Sequence, residues 1–374
     1  MTGPRFAPFA SPAGAFIRSA LRPWKRRVRS LVGRLLHGPQ PAAAQDIQHG
    51  ERSRDPFDRM QTEVAQIRRD WPVDDAIAGK FLAWDREMFD TIRAALLAAA
   101  GPMFAWEGGE HDLEDHIFRR LEHDRVQFVP WISTAFRLDD ARVLEIGCGT
   151  GASTVALAEQ GCRLTAIDID GNAVGVARTR CQAMGLPAVD FRIVNAVDLG
   201  EYFAPGAFDC VIYFASLEHM TVPARRTSLA AAWALLPPGG HLVITDAPNR
   251  LWYFDEHTAR LPFFHWLPDE MAAEYMQKFS SRKDLVRDLA GKGVAGLAHA
   301  GRGVSFHDLD LAIAPVGELQ VLVGKDAFLR TQNPRLAAEW AQSEDGIYSA
   351  LLHRLQPGVP APFFERSIEV IIRK

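Results

Sequence analysis

Apolar positions in residues 55–136 recur at steps of three or four, the spacing that gathers side chains on one face of an α-helix. The clearest series is Phe81, Trp84, Met88, Ile92 and Leu96. Pro102 and Pro130 interrupt the pattern and mark breaks between helices. This part of the chain is therefore predicted to form a helical region that precedes the first strand.

Beyond residue 136, short apolar runs alternate with helical segments. The runs are 142–147, 163–169, 189–195, 208–216 and 241–247. Continuously apolar strands between helices are typical of a parallel sheet covered on both faces. The predicted fold class is therefore α/β, with a mostly parallel, doubly wound sheet. The last run, 367–374, is predicted to form the antiparallel C-terminal strand of an edge hairpin, with residues 304–312 as its partner.

The charge of the chain is divided unevenly. The net charge is −4, but the first 45 residues hold eight Arg and Lys residues and no acid, so the remainder carries −12. An acidic body does not suit a nucleic-acid substrate, which requires a basic footprint. The four cysteines form no CxxC pair and no Cys/His metal spacing, which indicates reduced thiols in a cytoplasmic protein.

Apolar residues in the segment 24–37 stand at helical spacing with Lys and Arg between them. A basic amphipathic helix of this kind can lie on an anionic membrane surface. The alternative is an ordinary helix packed on the domain, or a disordered arm. We expect a cytoplasmic protein that contacts the inner face of the membrane peripherally through this segment.

The stretch VLEIGCGTG, residues 143–151, places three glycines at the exit of the first predicted strand. Glycine lets the backbone turn tightly and lets a ligand approach where a Cβ would otherwise stand. Ligands of doubly wound sheets bind beyond the carboxyl ends of the strands, and the following helix offers free N–H groups to an anion. The loop alone also fits a dinucleotide, because Gly147-x-Gly149-x-x-Ala152 matches that pattern.

Two carboxylates narrow the choice of ligand. Glu145 lies two residues before the first glycine, well placed for an ammonium group and poorly placed for a pyrophosphate. Asp168 ends the second predicted strand, where a carboxylate can accept both hydroxyls of a ribose. A ligand that carries an ammonium, a carboxylate, a sulfonium and a ribose is S-adenosylmethionine. NAD is the competing cofactor, and the acid before the glycines disfavours it.

At these residues the chain closely resembles the class I S-adenosylmethionine-dependent methyltransferases, in particular the large bacterial group with small-molecule acceptors. The shared motifs run in order through residues 115–250. They are ExGxGxG at 145–151, AIDID at 166–170, Asn195-Ala196, FDCVIYFASLEHM at 208–220 and LLPPGG at 235–240. The resemblance implies a Rossmann-like sheet of seven strands.

The resemblance also implies which residues contact the donor. They are Glu145, Gly147, Cys148, Gly149, Gly151, Asp168, Ile169, Asn195, Ala196, Ser216 and Leu217. Relatives usually carry Asp-Ala where this chain has Asn195-Ala196, a change that keeps a hydrogen-bonding side chain at the adenine edge.

Three residues are candidates for the acceptor side. His219, just past the fourth predicted strand, is a candidate base for a hydroxyl acceptor, unless it and Glu218 only fix the loop. Asp255 and His257 stand in an aromatic segment after the fifth strand, which resembles the acceptor-pocket insertion of related bacterial enzymes. A metal-ligand role for Glu218 is the less favoured alternative, so no metal is predicted.

The predicted organisation has three parts. Residues 1–45 form the basic segment, 46–135 the helical region, and 136–374 the methyltransferase domain with an insertion at about 248–300. The predicted reaction transfers a methyl group to a small molecule, an oxygen of a sugar, glycolipid or quinone-type metabolite. The alternatives are a protein or nucleic-acid methyltransferase and a non-catalytic protein that binds the donor.

Overall fold

The computed structural model describes residues 55–105, 109–186 and 188–374; the predicted basic helix at 24–37 lies outside them. The helices up to the second strand are α1 Pro56–Asp70, α2 Asp75–Ala78, α3 Arg86–Ala100, α4 Gly109–Glu114, α5 Arg120–His123, α6 Val129–Ser133 and α7 Ala152–Ala158. The later helices are α8 Gly171–Ala183, α9 Leu199–Tyr202, α10 Val222–Ala234, α11 Asp269–Phe279, α12 Lys283–Asp288, α13 Gly293–Ala300, α14 Phe306–Ala312, α15 Lys325–Gln332, α16 Pro334–Gln342 and α17 Glu344–Leu355. In this part of the chain, every helix is too short or too polar to span a membrane.

The described strands form one seven-stranded sheet in the order β3-β2-β1-β4-β5-β7-β6. They are β1 Arg142–Ile146, β2 Arg163–Asp168, β3 Asp190–Ile193, β4 Cys210–Phe214, β5 His241–Pro248, β6 Gln320–Val321 and β7 Ser367–Arg373. Strands β1 to β5 pair in parallel, and β7 runs antiparallel between β5 and β6. The predicted α/β class and the antiparallel C-terminal strand are confirmed.

The predicted hairpin partner of the C-terminal strand, residues 304–312, is wrong. Most of that segment is helix α14, and the two-residue strand β6 pairs with β7 instead. Ser305 and Asp308 form a capping box at the start of the helix, the side chain–backbone exchange that favours a helical first turn. Phe306 and Leu309, three residues apart, are both buried, so the segment packs with helical periodicity.

The helical region before β1 shares its core with the sheet. Side chains of α1, α3 and α4–α6 join Val143 of β1 and Val155 of α7 in one buried cluster. The ring of Phe128 packs edge-on against Phe214 at the end of β4, with centroids 5.1 Å apart. Packing of this kind fixes residues 109–133 over the carboxyl ends of the strands.

Candidate active site

A cavity of about 1310 Å³ opens at the carboxyl ends of β1, β2 and β4. Its floor is the glycine loop that follows β1, one wall comes from the helical run 109–133, and His257 and His299 reach it from the insertion. Parallel strands all end at the same edge of the sheet, so polar groups that follow them in sequence meet there in space.

The three glycines of the loop adopt left-handed backbone conformations, with φ of 86° at Gly147, 49° at Gly149 and 84° at Gly151. A Cβ on Gly147 would stand 2.6 Å from the Cβ of Ser216, and one on Gly151 would stand 2.8 Å from the Cα of Ala177. A Cβ on Gly149 would meet no heavy atom within 4 Å. Packing therefore requires the outer two glycines, whereas Gly149 presents bare backbone to the cavity.

Asp168 is held at the cavity edge by two backbone donors. Its Oδ2 accepts a hydrogen bond from the N–H of Gly149, and its Oδ1 accepts one from the N–H of Asp170, both at 2.9 Å. A carboxylate has about four acceptor positions, so both oxygens remain able to receive hydroxyl groups from a ligand. Five further predicted donor contacts also line the cavity: Cys148, Ile169, Asn195, Ala196 and Ser216.

Three predicted site residues do not line the cavity. Leu217 is fully buried. Glu145 is also fully buried, and it accepts hydrogen bonds from the hydroxyls of Ser153 and Thr154, so it fixes the first turn of α7 to β1. Asp255 accepts the backbone N–H groups of residues 257–259 and therefore shapes the insertion. Neither carboxylate lines the cavity, whereas the sequence led us to expect both at its surface.

The cavity wall supplied by residues 109–133 is built from polar residues to which the sequence analysis gave no role. They are Asp115, His116, Arg119, Arg120, His123 and Asp124. The helices α4, α5 and α6 are joined by π-helical turns at Asp115–Arg119 and Asp124–Phe128, and π turns often occur at functional sites. The sequence did contain a signal for this wall, because the polar pairs Asp115-His116, Arg119-Arg120 and His123-Asp124 repeat every four residues. This period is longer than the 3.6 residues per turn of an α-helix.

Burial changes the pKa values of two side chains in this wall, His116 and Asp124. Burial, with Arg120 and Arg180 nearby, lowers the pKa of His116 to about 3. Burial, together with the charge of Asp246, raises the pKa of Asp124 well above its usual range. His116 is therefore neutral near pH 7, and burial disfavours the charged form of Asp124.

The opposite end of the cavity gathers Glu218, His219 and His257. One ligand atom from each lies within 4.8 Å of the others, and the two imidazole centroids are 5.3 Å apart. Glu218 is fully buried, and neither of its carboxylate oxygens has a hydrogen-bond partner. Burial raises the pKa of Glu218 to about 8 and lowers that of His257 to about 4.

Comparison with known proteins identifies the chemistry of this fold. Residues 143–240 match the family described as "Methyltransferase domain". The chain is 38% identical over 115 residues to a "Ubiquinone biosynthesis O-methyltransferase" of Xanthomonas euvesicatoria, which covers 31% of this chain and 46% of that protein. A protein of the same name from Dechloromonas aromatica is 34% identical over 117 residues, which covers 31% and 49%. The chain thus spans about half the length of the curated relatives it matches.

Solved structures include a similar S-adenosylmethionine-dependent methyltransferase of Methanosarcina mazei. It is 27% identical, with 33% of this chain and 60% of that chain covered and a TM-score of 0.30.

Replacing Glu145 by Gln is expected to flatten the pH dependence of folding stability between about pH 4.5 and 7. Burial, partly offset by Ser153 and Thr154, raises the pKa of Glu145 to about 7 in the folded chain. The unfolded chain loses this proton first, so the contribution of Glu145 to stability falls as pH rises through the window. Glutamine cannot ionise and removes that contribution.

The measurement is the free energy of unfolding by urea at about pH 5 and about pH 8, compared between wild type and variant. The exposed Glu339, replaced by Gln, is the matched control and should follow wild type. An equal loss of stability with pH in wild type and Glu145→Gln would contradict the role of Glu145.

Proposed function

Because the chain carries a class I S-adenosylmethionine-dependent methyltransferase domain, we propose that it transfers the donor's methyl group to an oxygen of a small molecule. The observation that carries the proposal is that Gly149 and Asp168 open onto the same cavity as His219 and His257. Donor and acceptor can therefore meet within one enclosure, and holding them in line accounts for much of the acceleration that such a reaction needs.

The residues at the glycine loop fit the donor. Gly149 offers exposed backbone, Asp168 offers two oxygens for the ribose, and Asn195 with Ala196 lines the far side. The cavity, at about 1310 Å³, exceeds the roughly 300–1,000 Å³ of a typical ligand pocket, so it has room for a second molecule. The bound donor supplies an activated methyl group, and the protein need not create a leaving group.

The acceptor hydroxyl is activated at the cluster of Glu218, His219 and His257. A hydroxyl must lose its proton as the new bond to carbon forms, and a group that favours this loss must lie within hydrogen-bond reach. The Nδ1–H of His219 donates to the carbonyl oxygen of His299 at 2.9 Å, which leaves Nε2 as an acceptor. Partial burial lowers the pKa of His219, so this nitrogen is unprotonated near pH 7.

A quinone-type acceptor is the first to test, because the curated relatives are named for ubiquinone biosynthesis. Sugar or glycolipid oxygens are the other candidates of the same class. A protein or nucleic-acid acceptor is disfavoured because the chain outside its first 45 residues is acidic.

Replacing Asp168 by Ala is expected to weaken binding of S-adenosylhomocysteine by about 1–3 kcal/mol, because two hydrogen bonds to the ribose are lost. Isothermal calorimetry measures the change. Asp190 on β3, which pairs with Arg192 at the surface, is the control and should bind normally as Ala. Unchanged affinity in Asp168→Ala would exclude the ribose role.

The proposed reaction is tested by incubating the protein with methyl-labelled donor and a fractionated cell extract. We expect the label to enter a small molecule, with a slower transfer by Asp168→Ala at limiting donor concentration. Label in protein or nucleic acid would favour the alternative class of acceptor. Donor binding without any transfer to a complete extract would indicate a non-catalytic protein.

We further propose that the basic segment 24–37 brings the protein to anionic membrane surfaces, since Lys and Arg alternate there with apolar residues. Deleting residues 1–38 is expected to abolish sedimentation with phosphatidylglycerol vesicles and to leave S-adenosylhomocysteine affinity unchanged. Neutral phosphatidylcholine vesicles are the control. Equal sedimentation of both proteins with anionic vesicles would contradict the proposal.

A further inference from the structure

The two helices that precede the C-terminal strand, α16 and α17, contain no buried residue. They nevertheless carry several large apolar side chains, among them Leu336, Trp340, Ile347, Leu351 and Leu355. A short helix gains most of its stability by packing an apolar face against another element. Part of the apolar surface of this helix pair therefore remains unused within the residues that the structure describes.

The inner face of α17 is fixed to the segment that follows β5. The hydroxyl of Tyr253 donates to Oδ1 of Asp345 at 2.6 Å. The hydroxyl of Tyr348 donates to the carbonyl oxygen of Leu251 at 3.0 Å, and its ring packs edge-on against Tyr253 with centroids 5.1 Å apart. Leu352 packs against the buried cluster that contains side chains of β4, β5 and β7. These contacts set the rotation of the helix about its own axis, and so determine which side chains face the solvent.

The solvent-exposed face of α17 presents an apolar centre between two opposite charges. Ile347 is 63% exposed, Leu351 48% and Leu355 65%, and steps of four residues place them on one side of the helix. Glu344 stands three residues before the first of them and Arg354 three residues after the second, so both charges lie on the same side. Within the described residues, neither charge forms an ion pair.

This face reads acid, apolar, apolar, base, an order that is complementary to its own reverse. Consider an antiparallel pair of α17 helices with a two-fold axis level with Ser349. Ile347 then faces Leu351 of the partner subunit, because both positions are two residues from the axis. Glu344 and Arg354 are each five residues from the axis, so each faces the opposite charge across it. A two-fold interface joins the same patch of both copies and therefore requires this kind of self-complementarity.

We propose that two copies of this chain associate through the exposed face of α17, packed antiparallel about a two-fold axis level with Ser349. The pairing buries apolar side chains that the single chain leaves in water, and it forms an ion pair at each edge of the contact. It is independent of the proposed reaction, because it rests on residues outside the cavity. An interface centred on one helix is smaller than the roughly 800 Å² per partner of a standard complex. We therefore expect a weak dimer, with a dissociation constant of about 1 μM or above.

The charges on this face favour a second copy over other occupants. An anionic membrane attracts faces that carry Lys and Arg without acids, whereas the face of α17 holds one acid and one base. The basic segment 24–37 of the same chain meets like charge at Arg354, which is unfavourable. A second copy is the occupant for which both Glu344 and Arg354 find an opposite charge.

The association is tested by analytical ultracentrifugation of the full chain between about 1 and 100 μM, the range of a weak dimer. We expect wild type to exchange between monomer and dimer. Leu351→Glu should weaken the dimer by more than about 10-fold, because the contact then buries unpaired carboxylates. Leu97→Glu, at an exposed leucine of α3, is the matched control and should associate as wild type. A wild type that stays monomeric, or a Leu351→Glu chain that dimerises equally well, would overturn the proposal.

Charge reversal tests the antiparallel register without changing an apolar side chain. Glu344→Arg or Arg354→Glu alone is expected to weaken the dimer by about 3- to 10-fold, since each change places two like-charge contacts in a two-fold interface. The double variant restores opposite charges across the axis and should dimerise as wild type. A double variant as weak as either single variant would contradict the pairing and overturn the proposal.

Binding of S-adenosylhomocysteine separates a lost interface from a lost fold. Each variant should retain the wild-type affinity for this ligand, because α17 does not line the cavity. Deleting residues 1–54 should leave the dimer intact. A dimer that is lost with those residues but persists in Leu351→Glu would place the contact in the N-terminal segment and overturn the proposal. Loss of vesicle sedimentation in Leu351→Glu, with the dimer retained, would identify the face as a membrane contact and overturn it equally.

Discussion

The cavity exists because one buried cation holds its wall against its floor. Arg180 of α8 is fully buried, and its hydrogen bonds within the described residues all go to backbone carbonyls. It donates to Thr150 in the glycine loop at 2.8 Å and to Ile117 in the first π turn at 2.6 Å, as well as to His116. Burial lowers its pKa only to about 10, so the guanidinium stays charged at neutral pH.

This arrangement explains why an interrupted helix is stable at the site. A π turn shifts hydrogen bonds from i+4 to i+5, and carbonyls displaced in this way need other donors when they are buried. The side chain of Arg180 donates hydrogen bonds to two carbonyls of the first π turn, those of His116 and Ile117, and also to Thr150 in the glycine loop. The glycine loop and the polar wall are therefore positioned together by Arg180, although this residue is 30 positions from Thr150 and 63 from Ile117 in sequence.

The parts of the fold that follow local rules could be predicted from the sequence. Strands β1 to β5 were recognisable because continuous apolar runs are required where a sheet is covered on both faces. Gly147 and Gly151 were recognisable because a strand-to-helix turn with positive φ excludes most other residues. Asp168 was recognisable because it is the last residue of β2 and so must stand at the edge of the sheet beyond which ligands of doubly wound folds bind.

The parts that depend on competition between partners could not be predicted. The side chain of Glu145 lies on the face of β1 that packs against α7. The local sequence does not indicate whether Ser153 and Thr154 or a ligand will bind its carboxylate. The same holds for Asp255, whose oxygens are taken by the N–H groups that follow it. The polar residues of the cavity wall were given no role because an α-helical period was assumed, whereas π turns keep residues four apart on one face.

A second buried arginine holds the end of the cavity that contains His219 and His257, as Arg180 holds the end that contains the glycine loop. Arg225 of α10 donates to the carbonyl oxygens of Leu217 in the loop after β4 and of Arg302 and Gly303 in the insertion, and it pairs with Asp308 of α14. The two ends of the cavity are thus anchored by separate side chains to separate helices. The insertion, with its own polar anchors in Asp255 and Arg302, can change its acceptor contacts while the glycine loop and Asp168 remain undisturbed. Such independence is what allows one fold to serve many substrates; the match to the methyltransferase-domain family covers residues 143–240 and ends before the insertion begins.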